Sequence, residues 1–188
     1  MPHSLSSPEK NASTPLVTMQ KVDFGYGDRP IVTDLSFSLY PGELVALMGL
    51  NGAGKTTTLR LLTGFLVPTR GRVRVVGHDP VLSPERVRAK VGILPEEEML
   101  SLEMTVEEHL WLAGRLHGMP GPKIRKRTKE LLEMFTLGTM RRRLAGELSH
   151  GYRRRVGLAI AFFHDPPVLL LDEPVNGLGP EQQRALHQ

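Results

Sequence analysis

Eight residues, Gly49 to Thr56 in the order GLNGAGKT, set three glycines and a lysine between the apolar run LVALM and the helical pattern TTTLRLL. Glycines at these positions let backbone amides curl around an anion where a Cβ would obstruct. The lysine adds a point charge for the outer phosphates, and the threonine hydroxyl is a hard oxygen for a divalent cation. The segment Gly49, Leu50, Asn51, Gly52, Ala53 and Gly54, with Lys55, Thr56 and Thr57 opening the helix, therefore reads as a triphosphate-binding loop. A glycine-rich turn with a surface lysine has the same composition. The apolar strand before it and the helix after it favour the phosphate reading.

A second set of oxygens ends the apolar run VLLLDE at 168–173. A carboxylate at the end of a strand beside a phosphate loop completes a Mg²⁺ site, which assigns Asp172 to the metal. Glu173, one residue on, is placed to orient or deprotonate a water. An acidic pair in isolation is more often a cap or a turn; after a phosphate loop it fits catalysis. A third stretch, ELSHGYRRRVGLA at 147–159, opens a helix with Ser149 and Gly151, whose donors suit an anion.

The elements that must position these groups follow from periodicity. LVTMQKVDF, IVTDLSFSLY, PGELVALMG and GRVRVVG read as strands between Leu16 and Val76, with the helix GKTTTLRLLTGF among them. From Pro95 to Glu147 the pattern turns helical. Thr105 and Glu108 make a capping box ahead of HLWLAGRLHG, and KRTKELLEMFTLG is a second amphipathic segment closed by Gly138. RRRVGLAIAFF is a further helix, and Pro166-Pro167 breaks the chain before VLLL.

The 188 residues suit one domain, or one core with a small subdomain, and the absence of cysteine excludes thiol chemistry and disulfides. The net charge of +4 lies in basic runs at 123–129, 141–143 and 153–155. These read as solvated helix faces, so no nucleic-acid partner is expected. No apolar run reaches the ~18 to 20 residues that cross a bilayer. Residues 1–14 are polar and predict a disordered extension.

Phosphate loop, helical insert, LSHGY and acidic strand, in this order, resemble the nucleotide-binding domain of ATP-binding-cassette (ABC) proteins, LSHGY standing as a variant of the LSGGQ signature. The stretch from VDFGYG to VGHDP is most similar to the cassettes of ABC-2-type exporters. The resemblance implies an α/β fold over 15–188: a P-loop NTPase (RecA-like) core, an antiparallel β subdomain and a helical insert at about 97–147. It implies ATP and Mg²⁺ as cofactors and Tyr26 as the aromatic that stacks on adenine. Ser149, His150 and Gly151 would contact the γ-phosphate held by a second cassette. The insert would dock on integral membrane permease subunits, placing the chain in the cytoplasm, peripheral on the inner face of the membrane.

Three features depart from the family pattern. Glu96 stands where a glutamine senses the metal and water, and a carboxylate accepts hydrogen bonds without donating any. NGLGP puts Gly179 where an aspartate arranges the opposing site. The chain ends at Gln188, before the family's last core strands and its γ-phosphate histidine, and His187 follows the acidic strand too soon to take that role. The C-terminal strands of the core are therefore expected to be missing. Three readings stay open: an ATP-hydrolysing exporter subunit with Lys55 and Glu173 as its catalytic pair, a nucleotide-binding but hydrolysis-deficient cassette, and a soluble ABC ATPase outside transport.

Overall fold

β1 (Val17–Tyr26) is the strand on which the first layer is built. Val17 and Met19 are buried, and after a bulge at Lys21, φ 47°, so are Val22 and Phe24, the extra residue resetting the alternation of a half-covered sheet. β1 pairs antiparallel with β2 (Arg29–Leu39) across the two-residue turn Gly27-Asp28, and with β3 (Arg70–Val75) on its other edge, giving the order β2-β1-β3. The computed structural model describes residues 14–50, 52–97 and 99–172. All of the predicted N-terminal extension except Thr14 lies outside them.

α1 (Lys55–Leu62) starts where the phosphate loop ends and packs Leu61 and Leu62 against the sheet, in one core with Val87, Val91, Val168 and Leu170. Gly64, at φ 75°, stops the helix before the predicted end at Phe65. The short helix α2 (Pro84–Arg88) leads into β4 (Val91–Leu94), a strand the sequence reading did not single out. β4 pairs in parallel with β5 (Val168–Leu171), the apolar run predicted to deliver the carboxylates.

One predicted strand is not realised. ELVALMG, at 43–49, joins no ladder among the described residues, and Leu44 and Met48 are 76% and 90% exposed. A strand needs a partner for its amides and carbonyls. Here the open edge of β5 and residues 44–47 instead face each other across a groove of about 520 Å³. Among the described residues β5 has β4 as its one neighbour.

The helical part packs α3 (Val106–Leu116), α4 (Gly121–Met134) and α5 (His150–Ala161) around Val106, Leu110, Ile124, Leu131, Val156 and Phe163. Thr105 caps α3 as predicted, its hydroxyl accepting from Glu108 N at 3.2 Å while Glu108 Oε2 accepts from Thr105 N at 2.7 Å. α4 departs from its predicted span at both ends. It begins earlier, because Pro122 suits a first helical turn, and it ends at Met134, before Thr136 at φ 55°. Gly138 opens a short 3₁₀ turn and does not close the helix. Where the end of α3 meets the end of α5, His117 and His164 stack with ring centroids 3.7 Å apart. Burial, with His117 beside it, pulls His164 down to about 4, and burial also lowers His117, so both rings stack uncharged at neutral pH.

β4 and α5 approach at backbone distance because Gly92 has no side chain: a Cβ there would stand 2.1 Å from the carbonyl oxygen of Ala161. Gly92→Ala must push the helix off the strand, and it is expected to lower the free energy of unfolding in urea by about 1–3 kcal/mol. An unchanged midpoint and slope would show that the two elements have room to separate.

Candidate nucleotide site

The loop before α1 takes its shape from two glycines in the left-handed region, Gly52 at φ 84° and Gly54 at φ 88°, a conformation that strains an L side chain. Gly54 caps α1, and a Cβ on it would come within 3.1 Å of the Ile31 carbonyl oxygen and 3.3 Å of Val32 Cγ2. The loop thus rests on β2. Lys55 folds across its mouth, Nζ donating to the carbonyl oxygens of Gly49 at 2.8 Å and Leu50 at 3.4 Å. Asn51 lies outside the described residues. Ala53 is held in the turn by its amide donating to Leu50 O at 3.0 Å, and Thr57 follows on the first turn of α1.

Thr56 and Asp172, 116 positions apart, meet at the floor of the site: Thr56 Oγ1 donates to Asp172 Oδ2 at 2.8 Å. Asp172 is 6% exposed, and its amide donates to Leu94 O at 2.8 Å, which fixes it at the end of the parallel pair. A hydroxyl and a carboxylate oxygen side by side, next to a lysine and an open glycine cradle, are a hard-oxygen donor set that fits Mg²⁺ bound to phosphate. No group of three or more His, Asp or Glu side chains that could hold a metal occurs among the described residues. A cation here would thus complete its shell with phosphate oxygens and water, as Mg²⁺ usually does. Glu173 lies outside the described residues, as do Gly179 and His187.

Tyr26 ends β1, 56% exposed and edge-on to Phe24 at 5.1 Å, on the hairpin whose β2 lies against Gly54. Ser149 caps α5, its hydroxyl accepting from Tyr152 N at 3.4 Å, and His150 and Gly151 are the first residues of that helix. They stand at a second helix start, apart from the loop in sequence and on a different element. Glu96 is exposed, at the entry to the insert.

The residue that sequence reasoning missed is Arg154. The run at 153–155 reads as a solvated face, yet Arg154 is 1% exposed. Its Nη1 donates to the carbonyl oxygens of Pro95 at 2.5 Å and Glu96 at 3.1 Å, and its Nη2 donates to the carbonyl oxygen of Asp172. The available signal was helical period: Arg154 falls on the stripe of Leu158 and Ala161, which is buried. Arg154→Met keeps the bulk and removes donors from three carbonyls. It is expected to lower unfolding free energy by about 2–4 kcal/mol, the cost of leaving these carbonyls without their donor, read from urea denaturation. A loss below that of an exposed Arg125→Met control would contradict the assignment.

Known proteins with similar sequences and structures fit this geometry. The family described as "ABC transporter" matches residues 32–176. The Nod factor export ATP-binding protein I of Paraburkholderia xenovorans (strain LB400) is 41% identical over 171 residues, 90% of this chain and 56% of that protein. ATP-binding cassette sub-family A member 2 of Rattus norvegicus is 40% identical over 81% of this chain and 6% of its own length. The chain spans about half the length of the curated export relatives it matches. A solved ATP-binding subunit of an ABC transporter superimposes with a TM-score of 0.84 at 34% identity, covering 91% of this chain and 71% of that one. The structure of cbiO1 from Clostridium perfringens, part of the complex cbiONQ, gives 0.81 at 25% identity over 92% and 72%.

Proposed function

The chain belongs to the ABC transporter family as an ATP-binding domain of the α/β P-loop NTPase fold, and from that premise we propose that it hydrolyses ATP with Mg²⁺ to drive export through partner membrane subunits. The observation that carries the reading is the 2.8 Å bond between Thr56 and Asp172 under the lysine-covered loop. The export direction rests on the names of the relatives.

In this reading Lys55 leaves the carbonyls of Gly49 and Leu50 for the outer phosphate oxygens, where its charge offsets the charge that develops as the γ-phosphoryl departs. The loop amides hold the inner phosphates, and Tyr26 stacks on the adenine. Thr56 and Asp172 would hold Mg²⁺, which supplies neutralisation of the phosphate oxygens and fixes their orientation. Glu173 takes a proton from the attacking water. Ser149, His150 and Gly151 of a second cassette close over the γ-phosphate, so two chains sandwich two nucleotides. The insert at 97–147 docks on permease subunits, which keeps the domain at the inner face of the membrane. Arg154 ties the entry of that insert to Asp172, so a shift at the metal end of β5 is felt at residues 95 and 96. No nucleic acid takes part.

A second reading is a cassette that binds nucleotide without hydrolysing it, and Glu96 favours it: a carboxylate cannot donate to the water as an amide side chain can. Steady-state MgATP turnover beside the Glu173→Gln variant separates the two. Hydrolysis predicts a fall of about a hundredfold or more in the variant with ATP binding retained. Equal turnover in both, with ATP still bound, would leave the non-hydrolysing reading.

A further inference from the structure

The C-terminal half of α3 exposes large apolar side chains where a surface helix should be polar. Leu112 and Leu116 succeed each other one turn apart at 43% and 78% exposure, and Trp111 beside them is 38% exposed. The chain then turns back through residues 117–120 into α4, whose first turns present Lys123, Arg125 and Lys126 to solvent. The two groups adjoin. A Cβ built on Gly121 would stand 3.5 Å from Trp111 Cη2 and 3.7 Å from Arg125 Nη1.

Charge is concentrated here out of proportion to the chain. Residues 115–129 hold six basic side chains and no acidic one, a surplus of six against four for the whole protein. Among the described residues Lys123, Arg125 and Lys126 are in no ion pair, while Arg127 and Arg141 are paired with Glu130 and Glu107. The acidic groups nearest on α3 are engaged too: Glu107 by Arg141, and Glu108 by the amide and hydroxyl of Thr105. Tryptophan and leucine rimmed by unpaired lysine and arginine is the composition of a surface that sits at lipid headgroups, the rings and chains entering the interface while the cations meet anionic phosphates.

We propose that the α3–α4 corner binds an anionic lipid surface directly, through Trp111, Leu112 and Leu116 with Lys123, Arg125 and Lys126. This goes beyond membrane association through permease subunits, since a lipid contact needs no partner chain. A protein partner would explain the leucines, but it gives no reason for a run of unpaired cations beside them, whereas an anionic leaflet matches both.

Trp111 is the sole tryptophan of the chain, so its emission reports on this corner alone. The full chain is mixed with vesicles of phosphatidylcholine, with or without a minor fraction of phosphatidylglycerol, and followed by co-sedimentation and fluorescence. The expected result is binding to the anionic vesicles only, a blue shift of the Trp111 emission on binding, and release at high salt. The variant carrying Lys123→Gln, Arg125→Gln and Lys126→Gln should partition about a hundredfold more weakly, at about fivefold per charge, with its circular dichroism and nucleotide affinity unchanged. Equal binding to neutral vesicles, binding without a Trp111 shift, or wild-type partition of the triple variant would each overturn the proposal. Binding to neither vesicle would overturn it as well and leave this face to a protein partner. None of these outcomes bears on ATP turnover, so the two readings fail separately.

Discussion

A guanidinium buried among backbone carbonyls is what the rest of the site depends on. Arg154 reaches from α5 to the carbonyls of Pro95 and Glu96 at the end of β4 and to that of Asp172 at the end of β5. A buried cation needs its donors satisfied, and three chain segments are held in register to do it. Asp172 is thereby set with its carboxylate under α1, where Thr56 meets it. The line from the helical insert through Arg154, Asp172 and Thr56 to the phosphate loop is a continuous set of hydrogen bonds. A ligand that moves one end has a physical route to the other.

Packing supports the same line. Gly92 lets β4 lie against the backbone of α5, which brings Arg154 within reach of the strand ends. On the opposite side Gly54 lets the loop rest on β2, so the antiparallel layer carries the site from behind. The groove between residues 44–47 and β5 lies on the remaining side and is lined by Lys55 and Asp172 at one end. One wall is β5, paired with β4, and the other is residues 44–47, which join no ladder among the described residues.

What the sequence made legible was chemistry that is local in the chain. Three glycines and a lysine in eight residues, followed at once by a helical pattern, mark a phosphate loop, and Thr105 with Glu108 marks a helix start on similarly local grounds. The pairing of Thr56 with Asp172 was also readable, because each position carries a metal-ligating oxygen at the end of an identifiable element. The strand at 43–49 was misjudged because strand formation depends on a neighbour, and composition says nothing about whether one is in place. Arg154 was lost in a run of three arginines, where charge outweighed the helical period that marks it as inward-facing. The bounds of α4 slipped because the first turn is set by Pro122 and the last by the positive φ of Thr136, and only the proline is visible beforehand.

In the proposed function Thr56 and Asp172 act as one oxygen-donor site for the cation that accompanies the phosphates. The most direct measurement is ATP affinity with and without Mg²⁺ for the wild-type chain, for Thr56→Val, for Asp172→Asn and for the double variant. The account predicts that Mg²⁺ tightens binding in the wild type, that either single change removes most of this gain, and that the double variant loses little more than either one. Retention of the full Mg²⁺ effect in both single variants, with each still folded, would contradict it.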